Sequence, residues 1–134
     1  MILREVAKQF FEKEQQIKAR IAEKHIDSYE ELVQTLIEEL VRDDKKLGFD
    51  PKRIKVVDFG EYQGTLVFVI GGIGYQPSDH WYVKVGYGSC SGCDTLQSIH
   101  DYSQLNKPPT PKQIKDYWTL MLHVVQGIRK MEDE

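Results

Sequence analysis

Apolar positions recur at two different spacings along this chain, and the change of spacing divides it into helical ends and a strand-rich middle. In residues 2–25, Leu3, Val6, Ala7, Phe10, Ile17 and Ile21 fall near one face at about 100° per residue, which predicts a helix. Glu14 falls within that face and interrupts it. This helix is therefore expected to pack less completely than the others, at an edge or against a second chain, which makes residues 2–25 the expected route to an oligomer. The second helix has an unbroken stripe: Tyr29, Leu32, Val33, Leu36, Ile37, Leu40 and Val41. Asp27 or Ser28 can cap it, each with a Glu three residues on, and Gly48 beyond it can take the left-handed conformation that closes a helix.

The middle of the chain alternates instead. Residues 53–59, 65–70 and 80–87 are rich in β-branched and aromatic side chains and read as strands. Residues 60–64 form a hairpin-length turn between the first two, and 71–79 a looser connection to the third. Thr65 to Ile70 is apolar on both faces, which suits a central strand. In the third strand Trp81, Val83, Val85 and Tyr87 point one way and Tyr82, Lys84 and Gly86 the other, so one face is wetter. A short helical turn is expected at about 95–100. The last helix begins at Thr110, with Pro111 at its first position and Gln113 completing a capping box. Its stripe is Ile114, Tyr117, Trp118, Met121, Leu122, Val125 and Ile128. The expected fold is a single α+β domain over residues 1–134. An antiparallel three-stranded meander packs against two N-terminal helices and one C-terminal helix as a two-layer sandwich.

Composition narrows the function classes. At 134 residues the chain has the size of one domain, and it needs no disulfide to build a core. No apolar run is long enough to span a bilayer, so no membrane partner is expected, and residues 1–10 do not read as a secretory signal. The default setting is therefore cytoplasmic. The net charge is −3, and residues 27–44 hold seven acids against Arg42 alone. Such a run is the wet side of an amphipathic helix more often than a nucleic-acid mimic. No basic stripe of the kind that neutralises nucleic-acid phosphates is present, so direct nucleic-acid binding is not expected.

Candidate chemistry concentrates in residues 86–97, GYGSCSGCDTLQ, which hold both cysteines. Cys90 and Cys93 can grip one metal ion, zinc for choice, with His100 as the best-placed third ligand. A closed zinc site wants four ligands, and a lone Cys-x-x-Cys supplies two. Thioredoxin-type redox chemistry is opposed by Gly92, which breaks a helix through the motif, and by the charge of Asp94. Asp94 reads more simply as a helix cap with Gln97 three residues on, which leaves a small-residue turn and no cofactor. Residues 71–75, GGIGY, lack the Lys and the following helix of a phosphate loop. The four histidines are scattered, and His123 falls on the polar face of the last helix.

Tyr62-Gln63-Gly64, followed by two strands and the cysteine segment, resembles a group of small bacteriophage and mobile-element proteins. These carry a Y-Q-G turn and, about 25 residues later, G-S-C-S-G-C-D; the likeness spans residues 58–97. The string CSGCD is also similar to the proximal-cluster segment of nickel–iron hydrogenase small subunits, but such a cluster needs further cysteines that this chain lacks. The phage resemblance implies a bacterial cytosolic setting and a shared site at Tyr62, Gln63, Gly64, Gly88, Ser89, Cys90, Ser91, Gly92, Cys93 and Asp94, but no chemistry. Tyr75, in the second connection, is expected to join that surface. A non-enzymatic binding protein follows, its partner a host protein or a small molecule, with inhibition of a host defence component as one outcome. The alternative is a metal- or thiol-dependent enzyme built on Cys90 and Cys93.

Overall fold

The computed structural model describes residues 2–26, 28–42, 48–58, 64–72, 80–87, 99 and 108–130. Among them are four helices, α1 (Ile2–Glu12), α2 (Glu14–Ile21), α3 (Tyr29–Val41) and α4 (Pro111–Gly127). Four strands, β1 (Phe49–Asp58), β2 (Gly64–Gly72), β3 (His80–Tyr87) and β4 (Arg129–Lys130), form one antiparallel sheet in the order β1-β2-β3-β4. The α+β class and the consecutive pairing of the first three strands match the sequence pattern. A fourth strand is added because the chain leaving α4 runs on beside β3, where Arg129 pairs with Tyr82 and Lys130 with Trp81.

The N-terminal helix is two helices, not one. The ladder kinks at Lys13, whose φ of −99° and ψ of 17° are not helical. At this break Lys13 Nζ donates to the carbonyls of Glu39 at 3.2 Å and Leu40 at 2.7 Å. These are among the last carbonyls of α3, which lack partners within their own helix, and α3 has no basic side chain of its own in its last turn. The kink also resolves the interrupted apolar stripe. Val6, Phe10, Ile17 and Ile21 are at most 1% exposed, while Glu14 turns outward to Lys18 at 2.6 Å. The incomplete packing that suggested a second chain along residues 2–25 is therefore not found in these side chains.

Inner-face residues of the sheet meet the helices in one core. Cross-strand partners share a face, so Leu66, Phe68 and Ile70 of β2 lie level with Val85, Val83 and Trp81 of β3. Phe68, Ile70, Trp81 and Val83 are buried with Leu32, Leu36 and Leu40 of α3 and Tyr117, Met121 and Val125 of α4. The opposite face carries Lys55, Val57, Val67, Val69, Tyr82 and Lys84. Its central valines are half-buried and Val57 is 47% exposed. Gly71, on this face, lies so close to β1 that a Cβ there would stand 3.0 Å from Arg53 Cβ. Gly48 has φ +81°, the left-handed conformation anticipated for it.

The caps follow the sequence. Ser28 Oγ accepts from Glu31 N at 3.0 Å. At α4, Thr110 Oγ1 accepts from Gln113 N at 3.2 Å, and Thr110 N donates to Gln113 Oε1 at 2.9 Å. Gln113 Nε2 then donates to the carbonyl of Ile99 at 3.1 Å. Ile99 is helical and buried in the core, within the expected helical turn; the rest of that turn lies outside the described residues. Thr110→Ala is expected to cost about 1 kcal/mol in a urea titration, the usual loss for an N-cap, and Thr110→Ser to restore most of it. Equal midpoints for all three proteins would show that the cap contributes nothing.

Candidate functional site

The register of the central hairpin decides which loops can act together. Gly64 of β2 pairs with Tyr87 of β3, and Gly71 pairs with His80. The turn that ends at Gly64 and the segment that begins after Tyr87 therefore leave the sheet at the same end. Tyr62 and Gln63 precede one member of that pair, and Gly88, Ser89, Cys90, Ser91, Gly92, Cys93 and Asp94 follow the other. Gly64 is a described position, the first of β2; the remaining residues of this set lie outside the described residues, as does His100. Adjacent strands run about 4.8 Å apart, which is the spacing between these two departure points.

The second connection attaches elsewhere. Gly72 and His80, the strand ends that residues 73–79 join, lie at the other end of β2. At about 3.4 Å per residue the ends of this nine-residue strand are about 27 Å apart. Tyr75 lies outside the described residues, but its segment is not attached beside the Gly64–Tyr87 pair. These attachment points do not favour the expectation that Tyr75 joins that surface. Among the described residues no group of three or more His, Cys, Asp or Glu side chains is arranged to hold a metal ion.

Two polar constellations escaped the sequence reading. The first couples α2 to α3. Glu39 is 2% exposed, and its carboxylate accepts from Gln16 Nε2 at 2.8 Å and Arg20 Nη1 at 2.9 Å, with Arg42 Nη1 at 3.4 Å. Arg20 also reaches Glu38 at 2.6 Å. Burial pushes the Glu39 carboxyl up, but the hydrogen bonds from Gln16 and Arg20 and the two guanidinium charges outweigh it and hold the group below its ordinary value. With Lys24 on Glu31 at 2.8 Å, much of the acidic run of α3 is answered by bases from α2 and the chain just after it. That favours a solvated, internally paired helix over a nucleic-acid mimic. The groove these residues line holds about 480 Å³, but its charges are largely engaged with one another.

The second constellation is His25, whose Nδ1 lies 3.0 Å from the hydroxyl of Tyr117; both residues are buried. Ninety-two positions separate them, so no local pattern could have paired them. His123 is exposed on α4, as its place on the helix predicts.

No known protein family, curated protein or solved structure matches this chain.

Proposed function

We propose that this chain is a binding protein that works from the Gly64–Tyr87 end of its sheet. There Tyr62, Gln63 and Gly64 together with Gly88 to Asp94 form one contact surface for a partner protein. The observation that supports the reading is the pairing of Gly64 with Tyr87. It brings the departure points of two segments, far apart in sequence, to neighbouring strands. The resemblance to phage and mobile-element proteins makes a bacterial host component the partner to test first, with inhibition of a defence function as the consequence of binding.

Site-specific photo-crosslinking tests the geometry. A crosslinking side chain at position 62 and one at position 91 should capture the same partner from a bacterial lysate, while one at position 75 should not. Unlabelled wild-type protein should compete the capture away. Crosslinks from 75 with none from 62 or 91 would refute the assignment. Zinc content separates this reading from a metal- or thiol-dependent enzyme. A stoichiometric metal ion lost in both Cys90→Ser and Cys93→Ser, together with a lost turnover, would replace the binding reading.

A further inference from the structure

The face of the sheet opposite the described helices has its own chemistry. In one row across the strands stand Lys55, Val69 and Tyr82; in the next stand Val57, Val67 and Lys84. Lys55 and Lys84 are exposed, and Val67, Val69 and Tyr82 are half-buried. The two ammonium groups sit at diagonal corners of this patch, their Cα atoms about 12 Å apart by strand spacing and rise. No acidic residue occupies an outward-facing register position of the described strands. The nearby Asp50 carboxylate is engaged by Arg53 at 3.0 Å, and the Arg129 guanidinium is turned to the carbonyls of Gln126 and Ile128. The sequence shows no basic stripe because these two lysines are 29 positions apart; strand register brings them onto one surface.

We infer that this face binds a single-stranded nucleic acid, with the Tyr82 ring as a stacking platform and Lys55 and Lys84 holding phosphates on either side. A second copy of the chain is a poor occupant. Sheet packed on sheet about a two-fold axis would bring four lysines into one interface with no carboxylate on the described outward positions to meet them. An anionic partner suits the charge. A flat strand face with one aromatic ring between two cations suits unpaired bases, which stack at little cost in sequence preference, better than it suits a duplex, whose bases are already stacked. This surface is distinct from the Gly64–Tyr87 end, and its test does not depend on that reading.

Fluorescence anisotropy of the full chain with a labelled deoxythymidine oligomer of about twelve nucleotides, in low salt, tests it. Saturable binding is expected, with a log–log salt slope near −1.4, the value for about two phosphates on a single strand. Tyr82→Ala should weaken binding roughly tenfold or more, and Tyr82→Phe should keep it, because stacking needs the ring and not the hydroxyl. Lys55→Glu and Lys84→Glu should each weaken binding and flatten the salt slope, with thermal melting unchanged. Absence of binding at low salt, equal affinity for a duplex of the same length, or affinity untouched by the lysine variants would each overturn the inference. So would a response to a poly-glutamate peptide with none to the oligomer, which would give the face to an acidic protein.

Discussion

Phe10→Ala lowers the unfolding free energy by about 3–5 kcal/mol, the range for emptying a buried aromatic site. Phe10 has no exposed surface and stacks on Trp118, with ring centroids 3.9 Å apart and planes 11° from parallel. That pair joins α1 to α4, the first and last of the described helices. Small domains are stable by about 5–15 kcal/mol, so the variant loses a large share of the total. Denaturant titration followed by tryptophan emission checks it, since Trp118 loses its stacked neighbour. Phe10→Leu, which keeps most of the volume, is expected to lose clearly less. A loss under about 1 kcal/mol for the alanine variant would mean that α1 is not anchored through this contact.

Glu39→Ala is expected to cost about 2–3 kcal/mol at neutral pH. Removing one member of a buried ion pair commonly costs about 3–5 kcal/mol. Arg20 is 36% exposed and keeps Glu38, so part of its charge is still satisfied. The carboxyl of Glu39 is held below its unfolded value, near 4.3 for a glutamate. Its contribution is therefore complete above that value and is lost as pH falls through the lower, folded one. Urea midpoints measured from pH 7 down to pH 3 should fall more steeply for the wild type than for Glu39→Gln. Some slope should remain in the variant. Asp50 is also held low, by the Lys52 backbone N–H, with burial opposing and Arg53 assisting. Parallel curves would show that Glu39 does not titrate with folding.

The elements that the sequence discloses are those in which local chemistry and tertiary packing agree. Ser28 and Thr110 cap where their spacing to Glu31 and Gln113 says they should, and the alternation of residues 80–87 marks β3 at both ends. Where packing alone decides, the pattern is silent. The break at Lys13, where the side chain meets the open end of α3, has no Pro or Gly to announce it. β1 starts at Phe49, four residues before the strand expected from position 53, with Pro51 inside it. In the fold a register shift between Phe49 and Ile54 absorbs the proline, and its carbonyl takes a hydrogen bond from Gln34 Nε2 at 2.7 Å. β4 is Arg-Lys, two residues with no strand signal, paired only because α4 ends beside β3. The candidate site divides in the same way. Its glycines, cysteines and tyrosines are visible as residue types, but which strand ends lie together is a matter of register, and that puts Gly72 and His80 at the other end of β2 from Gly64 and Tyr87.

The contact between Gln113 and the Ile99 carbonyl has a further consequence. Gln113 belongs to the helix start and holds the chain emerging from the cysteine segment, while Tyr87 holds the chain entering it. The two positions that flank residues 88–98, Tyr87 and Ile99, are thus both fixed by folding itself. Closing a loop of eleven residues costs about 2 kcal/mol in chain entropy, and between two anchors fixed by the fold that cost falls on the folding reaction. A partner that bound this segment, as proposed, would not bear that closure cost. Loosening the tether with Gln113→Ala would shift that cost onto the proposed encounter and weaken it.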